Sequence, residues 1–157
     1  MSLSASVCSR LQNQHETIYE LLNGFSEEQL RQRIHNDKWS PFEQVAHLVS
    51  YQPVFLQRMQ IIQQENDPLF GRYIADNDPA FIADCKRPLS ELLDGLRSQR
   101  TDITNYLFGL TDASVRKTGR HPKYGLLTIA EWTEFFLLHE AHHLFSIFML
   151  TRSTAPG

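Results

Sequence analysis

Apolar residues recur at helical spacing in four separate stretches of the chain. Val7, Leu11, Ile18 and Leu22 predict a first helix from about Leu3 to Asn23, stopped by Asn23-Gly24. Ser40-Pro41-Phe42-Glu43 places Ser at an N-cap, Pro at the first helical position and Glu two residues further on. This capping box starts a second helix that runs to about Gln64. Pro53 inside it removes one backbone donor and predicts a kink. Leu89, Leu92, Leu96, Ile103, Tyr106 and Leu110 trace the seam of a third helix from about Pro88 to Leu107. Thr128-Ile129-Ala130-Glu131 repeats the capping box and opens a fourth helix, to about Thr151. The intervening 66–87 and 118–127, rich in Asp, Asn, Pro and Gly, read as long loops. No stretch alternates as a half-buried strand between hairpin turns would. The expectation is all-α: one domain over 1–157, a four-helix bundle with long crossover connections.

Composition narrows the function classes. Of 157 residues, 41% are apolar and 21% charged, the balance of a globular chain. The formal net charge is −3 with scattered Lys and Arg, so no basic face for nucleic acid is expected. Leu144 to Leu150 is apolar but far too short to span a membrane. The first residues lack the basic start and apolar core of a signal peptide. Cys8 and Cys85 have no metal-type spacing and read as free thiols, which fits a cytoplasmic protein.

The chemistry lies in the seven histidines, at 15, 35, 47, 121, 139, 142 and 143. At seam spacing the fourth helix reads Ile129, Trp132, Phe136, His139, His143, Ser146, Leu150. His139 and His143, four apart, stack on one helical face and can reach a single ion. They can equally be core histidines, each with its own polar partner. His47 on the second helix falls away from the stripe Val45, Val49, Gln52, Leu56, Met59, and by pattern alone reads as solvated.

Three segments carry a family resemblance. Lys38 to Leu48 (KWSPFEQVAHL), Gly119 to Thr128 (GRHPKYGLLT) and His139 to Leu144 (HEAHHL) occur in order along nearly the whole chain. Together they resemble the DinB/YfiT-like family. That resemblance implies a four-helix bundle in which one histidine of the second helix and an i,i+4 pair of the fourth bind a divalent metal. The matching positions are His47, His139 and His143. The ion implied is zinc or nickel, with iron or manganese also able to accept imidazole. It further implies a small-molecule substrate, homodimers, hydrolases, transferases that use a low-molecular-weight thiol such as bacillithiol or mycothiol, and thiol-dependent isomerases.

Three neutral ligands leave an ion its full charge and an open position, where it can activate water or a thiol. No dedicated general base is visible, which favours thiol transfer over hydrolysis. The competing class is a non-enzymatic, stress-related bundle stapled by its ion. His142, about 100° from His143 around the helix, is expected to miss the ion. His121 reads as a turn or cap residue near the pocket mouth, and His15 and His35 as solvated. Glu43 is explained by its cap. Glu140, off the seam, reads as solvated or ion-paired. Arg58, three turns beyond His47 on the same face, can hold an anionic substrate or a structural carboxylate. Phe135, Leu138, His142, Phe145 and Met149 form a second stripe, to be buried in the core or covered by a partner subunit.

Overall fold

The computed structural model describes residues 3–154. Its frame is a bundle of long helices. The first stretch divides into α1 (Ala5–Asn13), a 3₁₀ turn (Gln14–Glu16) and α2 (Thr17–Leu22), where an unbroken helix was expected. The break has a local cause: Gln14 turns its carboxamide inward, donating to the carbonyl of Leu137 (2.8 Å) and to Glu140 Oε1 (2.9 Å). A short α3 (Glu27–Arg31) follows. Next come α4 (Pro41–Gln64), α5 (Pro79–Asp84), α6 (Leu89–Phe108) and the single turn α7 (Asp112–Val115). The last helix is α8 (Ile129–Ser153). Both expected capping boxes form, at Ser40 with Glu43 and at Thr128 with Glu131. Pro53 lies inside α4 without ending it.

One expectation fails in the loop before α8. Residues 118–128 form a hairpin, β1 (Thr118–His121) with β2 (Gly125–Thr128), paired Thr118↔Thr128 through His121↔Gly125. Four-residue strands are too short to show a period-two pattern. The turn uses Gly125 at φ +77, open to glycine. Gly119 matters for the opposite reason, since a Cβ there would lie 2.7 Å from Ile62 and 2.9 Å from Phe70. The crossover after α4 also carries structure, a 3₁₀ turn at Ala75–Asn77 and α5. Its first part is sewn to the hairpin by Phe70 N–H to Arg120 O (3.1 Å) and Arg120 N–H to Pro68 O (2.7 Å). The hairpin and the first part of the crossover thus cover the end of α4 and the start of α8, near Ile62 and Trp132.

The buried line of α8 runs Ile129, Trp132, Thr133, Phe136, Leu137, Glu140, Leu144, Ile147, Thr151. It starts on the expected seam and then drifts off it, because a straight helix turns every 3.6 residues rather than 3.5. The centre of the core therefore falls on Glu140, and His139 and His143 sit on its flank towards α4. Glu140 is not solvated: it is 2% exposed and paired with the buried Arg100 of α6. Arg100 Nε donates to Gln52 Oε1 (2.9 Å), and its Nη1 lies 3.3 Å from Nδ1 of His15. His15 is therefore buried too, against expectation, with burial and Arg100 lowering its pKa to about 4. No described helix is long and apolar enough to cross a membrane.

Candidate metal centre

His47 projects from the second turn of α4, and His139 and His143 from successive turns of α8. Nε2 of His139 lies 3.2 Å from Nε2 of His47 and 3.1 Å from Nε2 of His143. The three donor nitrogens all fall within 4.8 Å of one another. Nitrogens bound tetrahedrally to zinc at about 2.0–2.1 Å stand about 3.3–3.4 Å apart, so the observed spacing suits one ion. Inert core histidines would need separate partners. Nδ1 of His47 and Nδ1 of His139 are buried with no partner among the described residues, and an ion held by the Nε2 atoms would leave both still without one, so the convergence of the Nε2 atoms carries the metal reading. His139 Nε2 faces two ring nitrogens at once, and a single N–H can satisfy only one of them.

His143 is the exception that orients the group. The Gln44 carboxamide oxygen lies 2.5 Å from its Nδ1. A carbonyl oxygen only accepts, so Nδ1 carries the proton and Nε2 presents its lone pair inward. Burial, with the neighbouring imidazoles, pushes the pKa down to about 3 at His47, 4 at His139 and 2 at His143. All three are neutral at pH 7, the form that ligates metal.

His47 is 3% exposed, so the solvated position read from its stripe is wrong. The first turns of α4 are buried on several sides, because α5 and the crossover cover the face that α6 and α8 leave open. Trp39 (ring centroids 5.1 Å), Tyr73 (5.9 Å) and Phe81 (6.2 Å) close over the His47 ring. Tyr51 stands 4.9 Å from His139. Burial raises both phenols, Tyr51 and Tyr73, above their ordinary pKa, and Tyr73 donates to Asp78 Oδ2 (2.8 Å).

Beside His139 opens a cavity of about 520 Å³, walled by Tyr51, Tyr73 and Phe135 and rimmed by Arg58, Arg72 and Lys123. His121 also reaches it while serving the turn, its Nδ1 accepting from the amides of Lys123 (3.0 Å) and Tyr124 (3.2 Å). His142 is exposed, its ring 5.3 Å from that of His143 and outside the cluster. His35 is exposed as expected. Glu43 is held by its cap and by Arg33 (2.5 Å). Cys8 and Cys85 are free, and burial raises the Cys85 thiol to about 11. The sequence reading overlooked Gln44, Trp39 and Tyr51. Gln44, three residues before His47, and Tyr51, four after it, share its face, which is the signal that points to them.

Residues 10–147 match the DinB superfamily. The chain belongs to the DinB superfamily. Two solved structures share the helical bundle seen here. YfiT from Bacillus subtilis, described as a probable metal-dependent hydrolase with an unusual four-helix bundle topology, is 18% identical, with a TM-score of 0.83 over 99% of this chain and 92% of its own. TT2238, described as a four-helix bundle protein, is also 18% identical, with a TM-score of 0.66 over 90% of this chain and 95% of its own. At that identity they show the fold. No curated protein matches the sequence.

Proposed function

We propose that this DinB superfamily chain is a metal-dependent enzyme acting on a small molecule, with one divalent ion held by His47, His139 and His143. The observation that carries it is the convergence of three Nε2 atoms next to an open cavity. A structural zinc site closes itself with four protein ligands, whereas three histidines and a cavity leave room for a reactant. The description of YfiT as a probable metal-dependent hydrolase supports the same class.

Bound there, zinc or nickel would supply Lewis acidity that lowers the pKa of a coordinating thiol or water. The chain's own contribution is positioning. Gln44 fixes the tautomer of His143. Trp39, Tyr73 and Phe81 cover His47 and keep water from that side. Protonated Tyr51, beside His139, is a hydrogen-bond donor at the cavity wall.

Among the reactions open to such a site, transfer of a low-molecular-weight thiol comes first. The neighbouring carboxylates are engaged: Asp78 accepts from Tyr73, Glu43 is held by Arg33 and Glu140 by Arg100. None is free to act as a general base. A thiol of the bacillithiol or mycothiol type held there would need none: its proton would leave to solvent, its sulfur would bond to the electrophilic carbon, and the carbon would release its leaving group, chloride in the assay below. Hydrolysis is the second reading, favoured by YfiT. The two free cysteines suit a reducing cytoplasm. The test is a screen of bacillithiol, mycothiol and glutathione with 1-chloro-2,4-dinitrobenzene, using zinc- and nickel-loaded protein. Thiol conjugation above the chelated protein supports transfer. Ester cleavage without thiol consumption moves the assignment to hydrolysis, and neither leaves a structural ion.

A further inference from the structure

The cavity beside His139 has one sign of charge. Arg58, Arg72 and Lys123 line it, and no carboxylate does. None of the three forms an ion pair among the described residues, although Arg10, Arg31, Arg33, Arg87, Arg97 and Arg100 all do. A cation that folding has not neutralised, in a partly enclosed site with apolar walls, attracts anions more strongly than one on an open surface.

Arg58 differs from its two neighbours in being held. Its Nη2 donates to the carbonyl of Gly71 (3.0 Å), and its guanidinium sits 5.3 Å from the ring of Phe70 and 5.8 Å from that of Trp132. Those contacts fix the group without cancelling its charge, since a carbonyl and two aromatic faces remove no positive charge. Another donor faces the Tyr51 phenol, and the donors beyond these two are left for a planar anion. Arg72 and Lys123 are exposed at the rim, while Tyr51, Tyr73 and Phe135 form the wall between Arg58 and the histidines.

We propose that this cavity is the substrate subsite of the reaction inferred above, that it takes a small organic anion with an apolar or aromatic body, and that Arg58 binds its carboxylate or phosphate. The apolar body lies along Tyr51, Tyr73 and Phe135, which brings its other end to His139. Lys123 and Arg72 add attraction at the mouth. The inference rests on the proposed function for the word substrate, but the binding it requires is measurable without turnover.

The experiment is a titration of the full-length chain with 2-naphthoate and with its neutral isostere 2-naphthamide, by calorimetry and by amide chemical shifts. It is run zinc-loaded and after chelation, so that direct coordination of the carboxylate is separated from the subsite. Saturable binding of naphthoate in both states is expected, with shifts at Tyr51 and His121. Naphthamide should bind about ten-fold or more weakly, and Arg58→Gln should weaken naphthoate by a similar factor, as loss of a charged hydrogen bond does. Arg72→Gln combined with Lys123→Gln, both at exposed positions, should weaken it several-fold and serves if the Arg58 variant does not fold. Equal affinity for naphthamide, full affinity in the Arg58 variant, or binding only with zinc present overturns the proposal. Protein that binds naphthoate selectively yet conjugates no thiol and cleaves no ester keeps the subsite and loses the proposed activity. Active protein that ignores the charge does the reverse.

Discussion

The carboxamide oxygen of Gln44 accepts from Nδ1 of His143 at 2.5 Å, one turn of α4 before His47. That contact makes Gln44 the residue that turns a ring nitrogen towards the cluster. Gln44→Ala should therefore weaken zinc binding about 10–100-fold while leaving the helical content unchanged, the usual effect of losing a partner behind a ligating histidine. Competition with a chromophoric chelator measures it. Unchanged affinity would show that packing alone orients His143.

A second expectation concerns acid. The folded pKa values of His47, His139 and His143, near 3, 4 and 2, lie below the ordinary histidine value of 6.5, as does that of His15 at about 4. For each group the unfolded chain takes up its proton first as pH falls. The metal-free protein should thus lose stability from pH 6.5 down towards 4, by up to about 1.4 kcal/mol per pH unit for each histidine. Urea midpoints of chelated protein at pH 7.5 and 5.5 test this, and equal midpoints would contradict it.

Arg100 and Glu140, 1% and 2% exposed, are an ion pair in the middle of the bundle. Removing one partner, as in Glu140→Leu, strands a buried charge and should cost about 3–5 kcal/mol. Arg100→Met together with Glu140→Leu should be less destabilised than Glu140→Leu alone. Chemical denaturation of the wild type, both single variants and the double variant gives the comparison, and simple additivity would argue against the pair.

Gly119→Ala should destabilise by about 1–3 kcal/mol, because its Cβ meets Ile62 and Phe70 inside a packed core. Thermal unfolding checks it.

Phe145, Leu138 and Met149 are 62%, 58% and 49% exposed along one side of α8, so the second stripe is not core. A patch of that kind is the expected surface for a second copy of the chain. Light scattering at micromolar concentration should give twice the 18.2 kDa mass, and Phe145→Glu should halve it. A wild-type monomer would rule the dimer out.

The helix starts were legible because a capping box is a local, four-residue signal, and both occur where the sequence places them. The hairpin was not, since its strands are four residues each and depend on pairing with one another and with Pro68 and Phe70. The spacing of His139 and His143 exposed two of the three ligands of the candidate centre. His47 was hidden because what buries it, Trp39, Tyr73 and Phe81, comes from segments that helical periodicity does not describe. Only the family motifs pointed to it. The ion-paired reading of Glu140 holds, and His15 was misread because its buried place depends on Arg100, which the α6 seam sets in line with Leu96 and Ile103 but whose charge reads as solvated.

The central claim is that His47, His139 and His143 hold one divalent ion. Elemental analysis of purified chain, beside His139→Ala and the double variant His139→Ala with His143→Ala, tests it most directly. The account predicts close to one equivalent of zinc or nickel per wild-type chain and none retained by the double variant. A full equivalent in the folded double variant would contradict it.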